Sequence, residues 1–256
     1  MKSLALCAIL ALPAVGILSS CDEATAPQLA TPTASDRRKA PPSPQDPQSS
    51  RSVGTGSLEG TVRYVADPKR KWRRGRYYVD KGGRLAEAVV ALRKVSSVSD
   101  SPPSPTVWTV DQKHFQFVPE TVAIRAGDAV KFTNSDREIH NVRTSDGFHT
   151  FNVSIAHGSE ALQTFRRAAG IDSPIRLGCA FHGSMRGWIY VFGHPFFAVT
   201  ATEGRFHFVD IPAGEYSLDV VHPAGGLRWS SEVTIEDGDS AVIDVTMPPD
   251  SKIEKP

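Results

Sequence analysis

The sequence predicts an all-β protein built from sandwiches, and three observations carry that prediction. Short runs rich in β-branched and aromatic residues recur along the chain, bounded by Gly, Pro and Asp. Two of them, Phe206-His207-Phe208 and Tyr216-Ser217-Leu218-Asp219-Val220, alternate apolar with polar residues as strands with one buried face do. No long segment sustains a helical period. At 256 residues, 40% hydrophobic and 22% charged, the composition is that of a soluble globular protein, and the length fits two domains. The 29 Lys plus Arg against 28 Asp plus Glu argue against a nucleic-acid binder and against steering by net charge.

The first element, residues 1–20, carries Lys2 and then an apolar run too short to span a membrane comfortably, so it reads as an export signal. The run closes on Leu18-Ser19-Ser20-Cys21, which resembles a bacterial lipobox; the alternative is an ordinary signal with a chance cysteine. The resemblance implies that Cys21 receives the lipid and that the mature chain is anchored to a membrane on the exported side of the cell envelope. Cys7 then leaves with the signal and Cys21 is acylated, so Cys179 is the one free thiol. An unpaired thiol in an oxidising compartment needs a reason, and metal ligation is one.

Residues 21–56 are rich in Pro, Ser, Thr, Ala and Gln with almost no large apolar side chain, so they cannot offset their ordering entropy and read as a disordered tether. Strands are expected at 58–64, 87–92, 121–124, 129–132, 188–192, 205–209, 216–221 and 241–245. The basic stretch Lys69-Arg70-Lys71-Trp72-Arg73-Arg74-Gly75-Arg76 is either a patch for an anionic partner or a solvated hairpin loop. A Pro-rich break at 96–105 separates two strand-rich regions.

Chemistry concentrates in Cys179-Ala180-Phe181-His182-Gly183-Ser184-Met185, where thiolate, imidazole and thioether stand at i, i+3 and i+6 on a loop between strands. With 8 His and 3 Met in 256 residues, both offsets arise by chance roughly 1 time in 2,700, so a structural cysteine with unrelated neighbours is disfavoured. A second imidazole is available upstream, at His140 in Ile139-His140-Asn141-Val142. Two imidazoles, one thiolate and a weak thioether describe a blue-copper site. His114, His149, His157, His194, His207 and His222 lack comparable spacing and read as surface or packed histidines.

At this point residues 106–192 resemble the cupredoxin family. Phe117-Val118-Pro119, Gly127-Asp128, Val130-Lys131-Phe132-Thr133-Asn134 and His140-Asn141-Val142 precede the Cys-His-Met loop in the family's order, and the short gap between His182 and Met185 is similar to amicyanin. The resemblance implies a Greek-key sandwich holding one type 1 copper ion, with His140, Cys179 and His182 as equatorial ligands and Met185 as the long axial one. It also implies that Asn141 ties its own loop to the cysteine loop, and that His182 meets solvent as the port for a redox partner protein. Cys179 stands between Gly178 and Ala180, without the flanking histidine that wires such a cysteine to a second copper in copper oxidases and nitrite reductases. No hydrolase triad, paired carboxylates or phosphate loop stands out either, so no enzyme is expected.

Residues 57–98, with Leu58-Glu59-Gly60-Thr61-Val62 and Ala88-Val89-Val90-Ala91-Leu92, and residues 194–248, with Phe206-His207-Phe208 and Tyr216-Ser217-Leu218, resemble the early and late strands of a carboxypeptidase regulatory-like, or transthyretin-like, sandwich. Gly204 and Gly214 stand where its tight turns are expected. The expectation is therefore a cupredoxin sandwich inserted in, or flanked by, a transthyretin-like sandwich, in a lipid-anchored protein that transfers single electrons. The alternative is a non-redox lipoprotein that holds copper or binds a surface partner.

Overall fold

A computed structural model describes residues 54–65, 79–93, 95 and 104–248. The expected signal, Cys21, nearly all of the tether and the basic stretch 69–76 lie outside the described residues. Within them the protein is all-β, with no helix. Two strands come first, β1 (Thr55–Tyr64) and β2 (Val89–Arg93). The middle region supplies β3 (Val107–Lys113), β4 (Gln116–Val118), β5 (Thr121–Arg125), β6 (Ala129–Asn134), β7 (His140–Thr144), β8 (Phe151–Ile155), β9 (Glu160–Thr164), β10 (Ile175–Gly178) and β11 (Arg186–Phe192). The rest supplies β12 (Phe197–Val199), β13 (Arg205–Pro212), β14 (Gly214–His222), β15 (Leu227–Ile235), β16 (Ser240–Val242) and β17 (Val245–Met247).

The middle strands pair among themselves, in sheets ordered β4-β3-β6-β9 and β5-β11-β10-β7-β8. Their inner faces enclose one core, which includes Phe117, Ile124, Phe132, Phe165 and Ile189. The strands on either side in sequence make a second pair of sheets. In one, β1 lies between β13 and the parallel strands β16 and β17; the other runs β12-β2-β14-β15. Its separate core includes Leu58, Val62, Phe206, Leu218 and Val245. Thus β1 and β2, which precede the middle region, hydrogen-bond to described strands that follow it.

Register follows the apolar pattern. Along β1, Leu58, Val62 and Tyr64 face inward between exposed Glu59 and Arg63. In β13 the alternation slips at Val209 and Asp210, where a bulge against Gly56 and Leu58 and a φ of 55° at Asp210 return Ile211 to the core. Gly204 occupies its expected turn with φ 67°, whereas Gly214 begins β14 and the left-handed residue near that corner is Asp210. The strand expected across 241–245 is interrupted: Ile243 donates its N–H to Glu59 O (2.9 Å) and Asp244 accepts from Thr61 N–H (3.0 Å), so β1 passes from β16 to β17.

One expectation fails instructively. The alternation in 216–220 does not mark a wet face, because Ser217 and Asp219 are as buried as Leu218 and Val220. The central strands β2 and β14 of the β12-β2-β14-β15 sheet are covered on both sides. Val90, Leu92, Leu218 and Val220 enter its own core, while Val89, Ala91 and Val221 pack on Ala123, Ile171, Tyr190 and Phe192 of the middle region. An ion-pair network joins the two sides: the Asp219 carboxylate accepts from Arg93, Arg228 and Ser230, and Asp172 of the middle region bridges Arg93 (2.6 Å) and Arg228 (2.5 Å). Glu87 adds a second link by accepting the Thr121 N–H at 2.6 Å.

Candidate metal centre

The candidate ligands sit at one end of the β5-β11-β10-β7-β8 sheet. His140 opens β7, Cys179 follows β10, and Met185 precedes β11. Because β10 and β11 are antiparallel neighbours in register at Gly178 and Arg186, the segment 179–185 is a hairpin loop; β7 meets β10 at Gly178 and Arg143, which brings His140 alongside. The Met185 N–H donates to His182 O at 3.0 Å and tightens the loop.

His140 Nδ1 lies 3.1 Å from His182 Nδ1, and Cys179 Sγ lies 3.7 Å from that same nitrogen. The three donor atoms fall within 4.8 Å of one another, the one such His/Cys/Asp/Glu group among the described residues. Met185 is buried in the same core as Cys179. His140 and Cys179 are also buried, whereas His182 is half-buried, flanked by exposed Phe181 and Gly183. The other six histidines take no part in the cluster. Asn141 Oδ1 accepts the Ala180 N–H at 3.0 Å, joining the β7 end to the cysteine loop.

Two residues that sequence reading did not single out complete the surroundings. The Asp136 carboxylate accepts from His140 Nε2 (2.8 Å) and from the backbone N–H groups of His114 (2.7 Å) and Phe115 (2.9 Å). Burial raises this carboxyl, but the Phe115 N–H, the His140 imidazole and the His114 N–H outweigh it and hold it below the ordinary aspartate value. His114 and Phe115 form the β3–β4 turn with φ of 54° and 57°, a left-handed pair usually filled by Asn or Gly. The Phe115 ring stands edge-on to His140 (5.4 Å) and to His182 (4.8 Å). Asp136 was discoverable as the acid four residues before His140; a His-Phe turn gives no such sign.

This donor set fits a soft or borderline metal ion. Two imidazole nitrogens and a thiol converge with no carboxylate in the group, a donor set that suits copper better than a hard oxygen-seeking ion.

No protein-family model matches the chain, and no curated protein sequence matches it. Solved structures do. One is a copper-containing nitrite reductase from Thermus scotoductus SA-01, at 23% identity over 40% of this chain and 26% of that one, with a TM-score of 0.32. Another is a purple cupredoxin from Nitrosopumilus maritimus, at 20% identity over 33% of this chain and 98% of that one (TM-score 0.28). A third is amicyanin from Paracoccus versutus, at 21% identity over 40% of this chain and 96% of that one (TM-score 0.30). The chain therefore spans about a quarter of the nitrite reductase but nearly all of the two small proteins. Its neighbours are cupredoxins and a copper enzyme, at low similarity and over part of its length.

Proposed function

We propose that this chain is a lipid-anchored type 1 copper protein that passes single electrons at the bacterial cell envelope. The observation that carries the proposal is the convergence of Cys179 Sγ and His182 Nδ1, from the loop that joins β10 to β11, with His140 Nδ1 at the start of β7, all within 4.8 Å. In this reading those three side chains hold one copper ion and Met185 supplies a weak fourth donor. Copper held by these side chains would supply one-electron chemistry, because thiolate and thioether favour Cu(I) while imidazole serves both states.

The remaining chemistry belongs to the protein. Burial of Cys179 and His140 excludes water from the donors, and Asn141 fixes the cysteine loop against the β7 end. His182, the one half-buried residue of the donor cluster, offers its ring edge to a redox partner. Gly178 and Ala180 beside Cys179 supply no imidazole route to a second centre, which supports carrier rather than enzyme. The paired strands of 55–93 and 197–247 support reading the flanking sandwich as a transthyretin-like module interrupted by the copper domain. The pattern Leu18-Ser19-Ser20-Cys21 supports lipidation at Cys21.

The test is redox cycling of the copper-loaded protein. One equivalent of reductant should bleach it and one of oxidant restore its colour, without loss of metal. A complex that binds Cu(I) alone and stays colourless would contradict the reading and favour a copper-holding protein.

A further inference from the structure

The strongest feature outside the ligand set is the carboxylate behind His140. Its side chain is only 10% exposed, and three N–H groups from two different segments converge on it: His140 Nε2, His114 N and Phe115 N. A carboxylate only accepts, so His140 Nε2 carries a proton, and in the neutral imidazole Nδ1 then keeps the lone pair on the side of His182 and Cys179. The same carboxylate holds the turn that sets the Phe115 ring against both imidazoles.

The geometry points to Asp136 as a positioning residue that lowers the reduction potential of the metal centre. A carboxylate hydrogen-bonded to a ligating imidazole fixes its tautomer and makes it a stronger donor. Its negative charge, 10% exposed and one ring away from the ligand nitrogen, favours the more highly charged oxidised ion over the reduced one. Asp136 thus acts on the ion through His140 and on the solvent side of the site through Phe115. This inference rests on the copper reading above.

The test compares the full mature chain with Asp136→Asn, which keeps an oxygen to accept a turn N–H but removes the charge, and with Phe115→Ala, which removes the ring and leaves the carboxylate. Spectroelectrochemistry of the copper-loaded proteins reads the potential, and long-range ¹H–¹⁵N NMR of the metal-free protein reads the His140 tautomer. Asp136→Asn should keep the thiolate-to-copper band and shift the relative affinity at least tenfold toward Cu(I), which for a one-electron couple is about 59 mV more positive. Phe115→Ala should not reproduce that shift. Metal-free wild type should show His140 protonated at Nε2.

An unchanged potential in Asp136→Asn, or an equal shift in Phe115→Ala, overturns the inference while leaving the copper reading intact. If wild type shows no thiolate-to-copper band, the copper reading fails and the potential claim falls with it. If Asp136→Asn does not fold, the NMR measurement on wild type decides: a His140 proton on Nδ1 overturns the inference.

Discussion

Ala180 donates its backbone N–H to Asn141 Oδ1 at 3.0 Å, and this bond joins the strand that begins with one ligand candidate to the loop that carries the other three. Asn141 is itself buried and donates from Nδ2 to Asn152. Replacing it with Ala strands the Ala180 donor and removes the tie. Asn141→Ala should lose about 1–3 kcal/mol in denaturant unfolding and broaden the copper spectrum, while Asn152→Ala should affect stability more than the spectrum.

The two sandwiches are coupled through Asp219. Its carboxylate is 3% exposed and accepts from Arg93 and Arg228, which Asp172 reaches from the other side of the interface. Removing Asp219 leaves two guanidiniums that are partly solvated, so the penalty is that of lost charged hydrogen bonds rather than of a stranded buried charge. Asp219→Ala should cost about 2 kcal/mol by chemical denaturation, and Asp172→Ala less, because Asp172 is half exposed.

His222 is fully buried and accepts the Gly225 N–H on Nδ1 at 3.0 Å. Burial pulls its pKa down to about 4; the Ala86 backbone opposes this and the Arg186 charge adds to it. The unfolded chain therefore binds a proton that the folded chain refuses between about pH 6.5 and about 4. Stability from this group is complete above the unfolded value and falls by roughly 1.4 kcal/mol per pH unit across that window. The aspartates held low, Asp128 and Asp172, act only below about pH 4, and Glu87, raised by burial, acts with the opposite sign. His222→Asn should flatten the urea midpoint between pH 6.5 and 4 relative to wild type.

Gly60 lies where β1 passes from β16 to β17. A Cβ there would sit 1.8 Å from Ile243 O, backbone that is itself tied to Glu59. Gly60→Ala should destabilise the flanking sandwich by ~3 kcal/mol or more in calorimetry. Gly183→Ala, on the ligand loop with open space around it, should change little.

What could be read from the chain depended on how local the determinant is. Cys179, His182 and Met185 share one loop, so their spacing alone marked them, and His140 followed from its place after the strand 129–132. Of the middle region's strands, those at 121–124, 129–132 and 188–192 were visible through their apolar runs. Asp136 offered only its place four residues before His140, and Phe115 offered no sign, because their roles depend on two loops meeting across β3 and β6. The burial of Ser217 and Asp219 escaped for a similar reason: a polar residue in alternation reads as solvent-facing until a second layer carrying Asp172 covers it. The interruption at Ile243 and Asp244 exists only because β1 crosses between two parallel partners, a non-local arrangement that no residue pattern in 241–245 announces.

Whether Cys179 ligates copper is read most directly from the visible absorption spectrum of the copper(II)-loaded chain beside Cys179→Ser. Wild type should show an intense thiolate-to-copper charge-transfer band that vanishes in the variant, with the fold unchanged by circular dichroism. A colourless or pale wild-type complex, or a band that survives the loss of the Cys179 sulfur, would contradict copper ligation by Cys179.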